Sequence, residues 1–202
     1  PWDWHGPIFD YGRKIGITVF SSPFDPTAVD LLEALGAPAY KIASPELIDL
    51  PPIRYVAKTG KPIIMSTGIA TFEEISEAVE AARGAGAKDI IVLHCTAAYP
   101  APTEEANLST IAEIARRLGV ITGLSDHTMG TVVPAIAIAL GADVIEKHFT
   151  LDREDGGVDS AFSLDTAELT ELVKVARMAR QTIGSPAFAP TKSEAIVLKN
   201  RR

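Results

Sequence analysis

An α/β fold of about six βα units, an incomplete (β/α)8 TIM barrel, is what three features of the sequence predict. Short β-rich runs alternate with helical stretches along the chain. Each run ends in a polar cluster, as strand tips at a barrel mouth do. Of the 202 residues, 47% are hydrophobic but only 6% aromatic, the balance of small aliphatic helices laid on parallel strands.

The predicted strands are Ile17–Phe20, Ala39–Ile42, Pro62–Met65, Ile90–Leu93, Ile121–Leu124 and Val144–His148. A helical stretch containing Trp2, Trp4 and Tyr11 leads into the first. Asp25 and Pro26 open the next helix, which buries Leu31, Leu32 and Leu35 and ends at Gly36. Thr71 and Glu74 form a capping box ahead of Ile75, Ala78, Val79 and Ala82 on one face. Asn107 is expected to cap the helix carrying Leu108, Ile111, Ile114 and Leu118. Pro134 falls in the first turn of an Ala/Ile-rich helix closed by Gly141. Asp165 and Glu168 cap the longest helix, which runs to Gly184.

Six units are two short of a closed barrel, whose usual length is about 250 residues, so an N-terminal piece of two units is expected ahead of Pro1. An open six-stranded sheet is the alternative, but its apolar edges would need cover. Residues 1–184 therefore form the expected partial barrel domain. Residues 185–202, with two prolines and a basic end, form the expected linker.

A formal charge of -7 argues against a nucleic-acid partner. No apolar run reaches the roughly 20 residues of a membrane span, and the single Cys95 fits a reducing cytoplasm, the expected location. An anionic substrate would be held by local cations working against the overall field.

The tips supply candidates. Two histidines, His127 and His148, end successive strands inside Ser125-Asp126-His127-Thr128 and Glu146-Lys147-His148-Phe149. Brought to one barrel mouth with oxygen ligands nearby, the two imidazoles make a divalent metal site; hydrogen-bonded strand-end histidines are the plainer alternative. Lys41 ends an apolar strand and suits a phosphate or carboxylate, with Ser44, Ser66 and Ser125 as donors or helix caps. Lys61 begins a strand and belongs to the opposite, stabilising end. Strand alternation turns Glu146 and His148 one way and Lys147 the other, toward the helices. His94 is a third ligand or, as expected here, a packed histidine. Cys95 has no adjacent base in sequence and is expected to be a buried, inert thiol. Asp159 and Ser160 lie in a glycine-rich loop after the last strand, within reach of a polyol or in a plain surface turn.

Five stretches together resemble the sialic acid synthase family. They are Tyr40-Lys41-Ile42-Ala43-Ser44 through Glu46, Gly60 through Gly68, His94-Cys95-Thr96 through Tyr99-Pro100, Gly123 through Thr128, and Ile145 through Phe149. The loops Ser21 through Asp25 and Gly156 through Leu164 look most like its pseudaminic acid synthase branch. The resemblance implies a barrel followed by an antifreeze-like domain, in a homodimer. It implies manganese or magnesium on His127 and His148, and phosphoenolpyruvate on Lys41, Ser44, Ser66 and Ser125. Lys41, Glu46 and Asp159 would be catalytic, and Tyr99 would bind substrate. The activity implied is condensation of phosphoenolpyruvate with an N-acetylated amino-sugar aldehyde, releasing phosphate. N-acetylneuraminate or legionaminate synthesis is the alternative within the family. Ala97 stands where relatives often carry Asn or Ser, and the family's first two strands, with a catalytic Glu and another Lys, have no counterpart here. Outside the family, Lys41 could serve a Schiff-base aldolase, or the chain could be an inactive partial barrel with a binding or structural role.

Overall fold

A computed structural model describes residues 2–201; Pro1 and Arg202, the outer ends of the two expected segments, lie outside the described residues. Five parallel strands, β1 (Tyr40–Ile42), β2 (Ile63–Ser66), β3 (Ile90–Cys95), β4 (Ile121–Asp126) and β5 (Val144–Lys147), stand in the order β1-β2-β3-β4-β5. Each strand lies beside its predecessor in the chain. That is the winding of a barrel wall, not of a doubly wound sheet, whose order reverses partway. The fold is an incomplete (β/α)8 barrel.

Seven helices accompany the sheet among the described residues: α1 (His5–Ile15), α2 (Pro26–Ala34), α3 (Leu50–Ala57), α4 (Phe72–Gly84), α5 (Ser109–Leu118), α6 (Val132–Ala139) and α7 (Thr166–Ile183). Their ends follow local chemistry. Asp25 accepts from the Ala28 N–H at 2.9 Å, and Pro26 fills the first helical position of α2. Thr71 with Glu74 and Asp165 with Glu168 close reciprocal capping boxes on α4 and α7. Asn107 does not cap α5 through its side chain. It adopts φ 45°, and its carbonyl instead accepts the Thr110 N–H at 3.1 Å.

The first expected strand is corrected. Residues 17–20 form no ladder; only Ser21 bridges Tyr40, through a Lys41 N–H to Ser21 O bond of 3.2 Å. Ile17 and Phe20 are exposed, so no second row of contacts holds this segment flat against β1. The strands at the centre run further than expected, β3 through Cys95 and β4 through Asp126.

The alternation along the strands separates two faces. Tyr40, Ile42, Ile63, Met65, Ile90 and Val92 pack with Val29, Leu32, Ile53, Val56, Ala78 and Val79 of the helices in the main core. A smaller core joins Ile111, Leu124, Val133 and Ala137. The residues between them in sequence, Lys41, Ser66, Cys95, Ser125 and Glu146, occupy the other face. Residues 185–198 are exposed, and two short 3-10 turns, Glu194–Ile196 and Leu198–Asn200, fall in this last stretch.

Candidate active site

Register brings the polar face together. Cys95, Ser125 and Glu146 are direct ladder neighbours across β3, β4 and β5. Ser125 Oγ donates to Glu146 Oε1 at 2.6 Å. Lys41 Nζ, with its side chain 11% exposed, lies 3.5 Å from the same carboxylate oxygen. One carboxylate thus ties the lysine of β1 to the serine of β4 across the width of the sheet.

Ser44 follows β1, and its Oγ accepts the Gly68 N–H at 2.9 Å, which fixes the turn after β2. That turn needs glycine: a Cβ on Gly68 would come within 2.8 Å of Ser44 Oγ and 2.9 Å of Ala97 Cβ. Ser66 Oγ and Glu46 Oε2 are buried with no hydrogen-bond partner among the described residues. Glu46 sits on the short 3-10 helix Pro45–Ile48 that follows Ser44.

His127 and His148 meet. Their ring centroids are 5.3 Å apart, edge to face at 64°. His127 Nδ1 lies 2.9 Å from the Thr96 carbonyl, an arrangement that places the proton on Nδ1 and leaves the lone pair on Nε2. His148 Nδ1 lies 3.5 Å from Asp159 Oδ2, which again leaves Nε2. Tyr99 packs on His127 at 4.3 Å between centroids, and Phe162 lies 5.1 Å from His148. Burial, followed by the neighbouring His127, holds His148 below the ordinary histidine value despite Asp159 and Glu146, which favours neutral imidazole.

The loop carrying Asp159 is pinned at both ends. Leu164 N–H bonds the His148 carbonyl at 2.9 Å, and Ser163 Oγ donates to the Asp159 carbonyl at 2.8 Å. Arg153 bonds the Ser163 carbonyl at 2.8 Å and the Glu168 carboxylate, fastening the loop to the start of α7.

Of the residues singled out from sequence, Lys41 and Ser125 are joined through Glu146, and Tyr99, Asp159, His127 and His148 are joined around the histidine pair. Ser44 and Ser66 lie at the tips of the adjacent units. Glu46 has no contact joining it to the histidine pair. Lys61 is paired with Glu33 at 2.5 Å, on the strand-start side. His94 turns to the helix side and bonds the Ala106 carbonyl at 2.8 Å, so it is no third ligand. Two residues were missed. Glu146 is the hub of the polar network, and its shared strand parity with His148 was the available signal. Cys95 is buried as expected, but its Sγ also lies 3.9 Å from His127 Nδ1, as a second acceptor for the N–H directed at Thr96, a contact the sequence did not suggest. Burial pushes the Cys95 thiol up, but hydrogen bonding with His127, Ser44 and Ser125 outweighs it and holds the thiol below its ordinary value. The register that places it there crosses 32 residues of sequence, which no local motif reveals.

Among the described residues no three His, Cys, Asp or Glu side chains converge tightly enough to cage an ion by themselves. Two imidazoles with outward-held Nδ1 atoms fit a metal whose other positions stay open to water or substrate.

The NeuB family model matches residues 1–187. Pseudaminic acid synthase of Helicobacter pylori is 43% identical, over 91% of this chain and 54% of that protein. N,N'-diacetyllegionaminic acid synthase of Campylobacter jejuni is 41% identical, over 94% of this chain and 58% of that protein. The crystal structure of N-acetylneuraminic acid synthetase from Leptospira borgpetersenii, in complex with citrate, superposes with a TM-score of 0.92 at 31% identity, covering 100% of this chain and 70% of that one. The chain spans little more than half the length of the curated relatives it matches. With the match running through all five strands and every tip described above, the chain belongs to the NeuB family.

Proposed function

We propose that this chain is the substrate-holding portion of a nonulosonic acid synthase. Its reaction would join phosphoenolpyruvate to an N-acetylated amino-sugar aldehyde and release phosphate. The pseudaminic type is favoured by the loops at Ser21 and Gly156, with the legionaminic and N-acetylneuraminic types as the nearest alternatives. The observation that carries this reading is the convergence of Lys41, Ser125, Glu146, His127 and His148 on one face of the sheet.

The three-carbon acid would bind with its anionic groups on Lys41, Ser44, Ser66 and Ser125. The unpartnered Ser66 Oγ supports this, because a buried hydroxyl without a partner is costly unless a ligand satisfies it. The Lys41–Glu146 ion pair favours a lysine that holds charge over one that attacks a carbonyl. A divalent metal, manganese or magnesium, would be held by His127 and His148 and would supply Lewis-acid polarisation of the aldehyde. Tyr99 and Phe162 would shield the reacting carbons and orient the sugar. Carbon 3 of phosphoenolpyruvate bonds to the aldehyde carbon, water adds at carbon 2, and the carbon–oxygen bond to phosphate breaks. Asp159, beside His148, and Glu46, with a free buried oxygen, are the groups of this chain suited to move the protons. A cytoplasmic location, a homodimer and an antifreeze-like domain after a linker at residues 185–202 complete the proposal.

Titration of phosphoenolpyruvate into this chain with Mn2+ present tests the site. Lys41→Ala should weaken binding tenfold or more, and unchanged binding removes Lys41 from the site. With the chain extended to the length of its relatives, phosphate release should require both phosphoenolpyruvate and an amino sugar, and His148→Ala should abolish it. Absence of release across a panel of N-acetylated amino sugars would overturn the synthase reading.

A further inference from the structure

We infer that the buried Asp126–Lys147 ion pair is a positioning device for His127. It fastens the peptide beside that imidazole to the neighbouring strand and so sets the ring's reach toward His148. The inference rests on His127 and His148 acting together as proposed above, but the device is testable without metal.

Asp126 and Lys147 are ladder partners on β4 and β5, and their side chains point to the helix side, away from the substrate face. They are 1% and 4% exposed, and Lys147 Nζ lies 2.6 Å from Asp126 Oδ2. Both charges lie two ladder positions beyond an apolar pair on the same face, Leu124 and Ile145, of the smaller core. A pair so buried is poor economy for stability, since two apolar residues of similar size often serve as well. Its remaining contacts show what it does. Asp126 Oδ1 accepts the Thr128 N–H at 2.9 Å, and Lys147 Nζ also donates to the Thr128 carbonyl. Both backbone polar groups of Thr128 are therefore tied to the pair.

His127 lies between these ties. On its far side its carbonyl accepts the Ala101 N–H at 3.0 Å, and its ring bonds the Thr96 carbonyl at 2.9 Å. The imidazole thus reaches toward His148 from a turn whose backbone is anchored on both sides of it. Lys147 also precedes His148 in the chain. The same ammonium therefore links the backbones of the two histidines.

Lys147→Met alone leaves a buried carboxylate without a counter-ion and can fail to fold. The decisive variant is the neutral double substitution Asp126→Asn with Lys147→Met, which strands no charge and keeps an acceptor for the Thr128 N–H. Two measurements apply to the folded variant: long-range ring 15N–1H spectra of the four histidines, and Mn2+ binding followed by the resonance of the free ion. The expected result is displaced His127 ring signals, unmoved His5 and His94 signals, and a ten- to hundredfold loss of Mn2+ affinity. A folded double variant with the parent's His127 ring signals overturns the inference. A parent chain that binds no Mn2+ sinks the metal reading instead, and the ring signals then decide the positioning role alone.

Discussion

Gly123 is the position where a single methyl group should do most damage. It lies on β4 opposite Leu93 of β3 and Val144 of β5, two residues before Ser125. A Cβ there would stand 2.2 Å from the Val144 carbonyl oxygen, 2.9 Å from its carbon and 2.7 Å from Leu93 Cδ2. Leu93 is fully buried and has little room to turn aside. The Val144 carbonyl belongs to the strand that carries Glu146 and leads to His148, so relief requires β5 to move. Overpacking costs about 1–3 kcal/mol where side chains can adjust, and a clash with backbone belongs at the top of that range, about 3 kcal/mol. For a chain of this size that corresponds to a fall in Tm of about 6–12 °C. Thermal unfolding of Gly123→Ala by circular dichroism measures it. Gly6→Ala is the control, because Gly6 lies in α1 with nothing within 4 Å of a built Cβ. That change should be neutral or stabilise by about 0.5–1 kcal/mol. A Gly123→Ala protein melting within about 2 °C of the parent would refute the close-approach argument.

Two further outcomes follow from burial and capping. Burial holds His94 below the ordinary histidine value of 6.5, with the Ala106 carbonyl opposing. The unfolded chain then binds the extra proton first, so this contribution to stability is complete above pH 6.5 and is lost as pH falls through the lower folded value. Denaturant unfolding should show stability falling more steeply between pH 7.5 and 5.5 in the parent than in His94→Gln, and equal slopes would remove His94 as the cause. Asp165→Ala removes an acceptor 2.8 Å from the Glu168 N–H and frees Arg153 from one of its two carboxylates. It should cost about 1 kcal/mol and speed amide exchange in the first turn of α7 and in the loop bearing Asp159. Unchanged exchange there would separate the loop from the cap.

What was legible in the sequence was mostly local, although the Asn107 cap, equally local, was not realised. Capping boxes at Thr71 and Asp165, the Asp25–Pro26 start and the strand-end polar clusters all depend on neighbours within four residues. Strand parity separated Lys147 from Glu146 and His148 for the same reason. What escaped depends on register between strands. Cys95 meets His127 only because β3 and β4 pair as they do. Glu146 becomes a hub only because β5 places it beside Ser125 while Lys41 reaches in from β1. The failed strand at residues 17–20 has the same origin. Its composition is β-like, but a ladder depends on what lies on both sides, and a run of residues carries no information about that.

Register also explains why the core and the candidate site form a single specification. Ile42, Met65 and Val92 are ladder partners that face the helices, and the intervening residues face the other way. A slip of β5 by one residue against β4 would turn Glu146 and His148 into the helix layer and bring Lys147 to the candidate-site face. The apolar rows resist that slip because they would lose their burial together. The Asp126–Lys147 pair adds a charge-specific lock at the end of the same two strands, where the rows run out. The chemistry at the mouth is therefore held by side chains that never face it: the packed aliphatic rows set which residues converge, and one buried ion pair sets how closely.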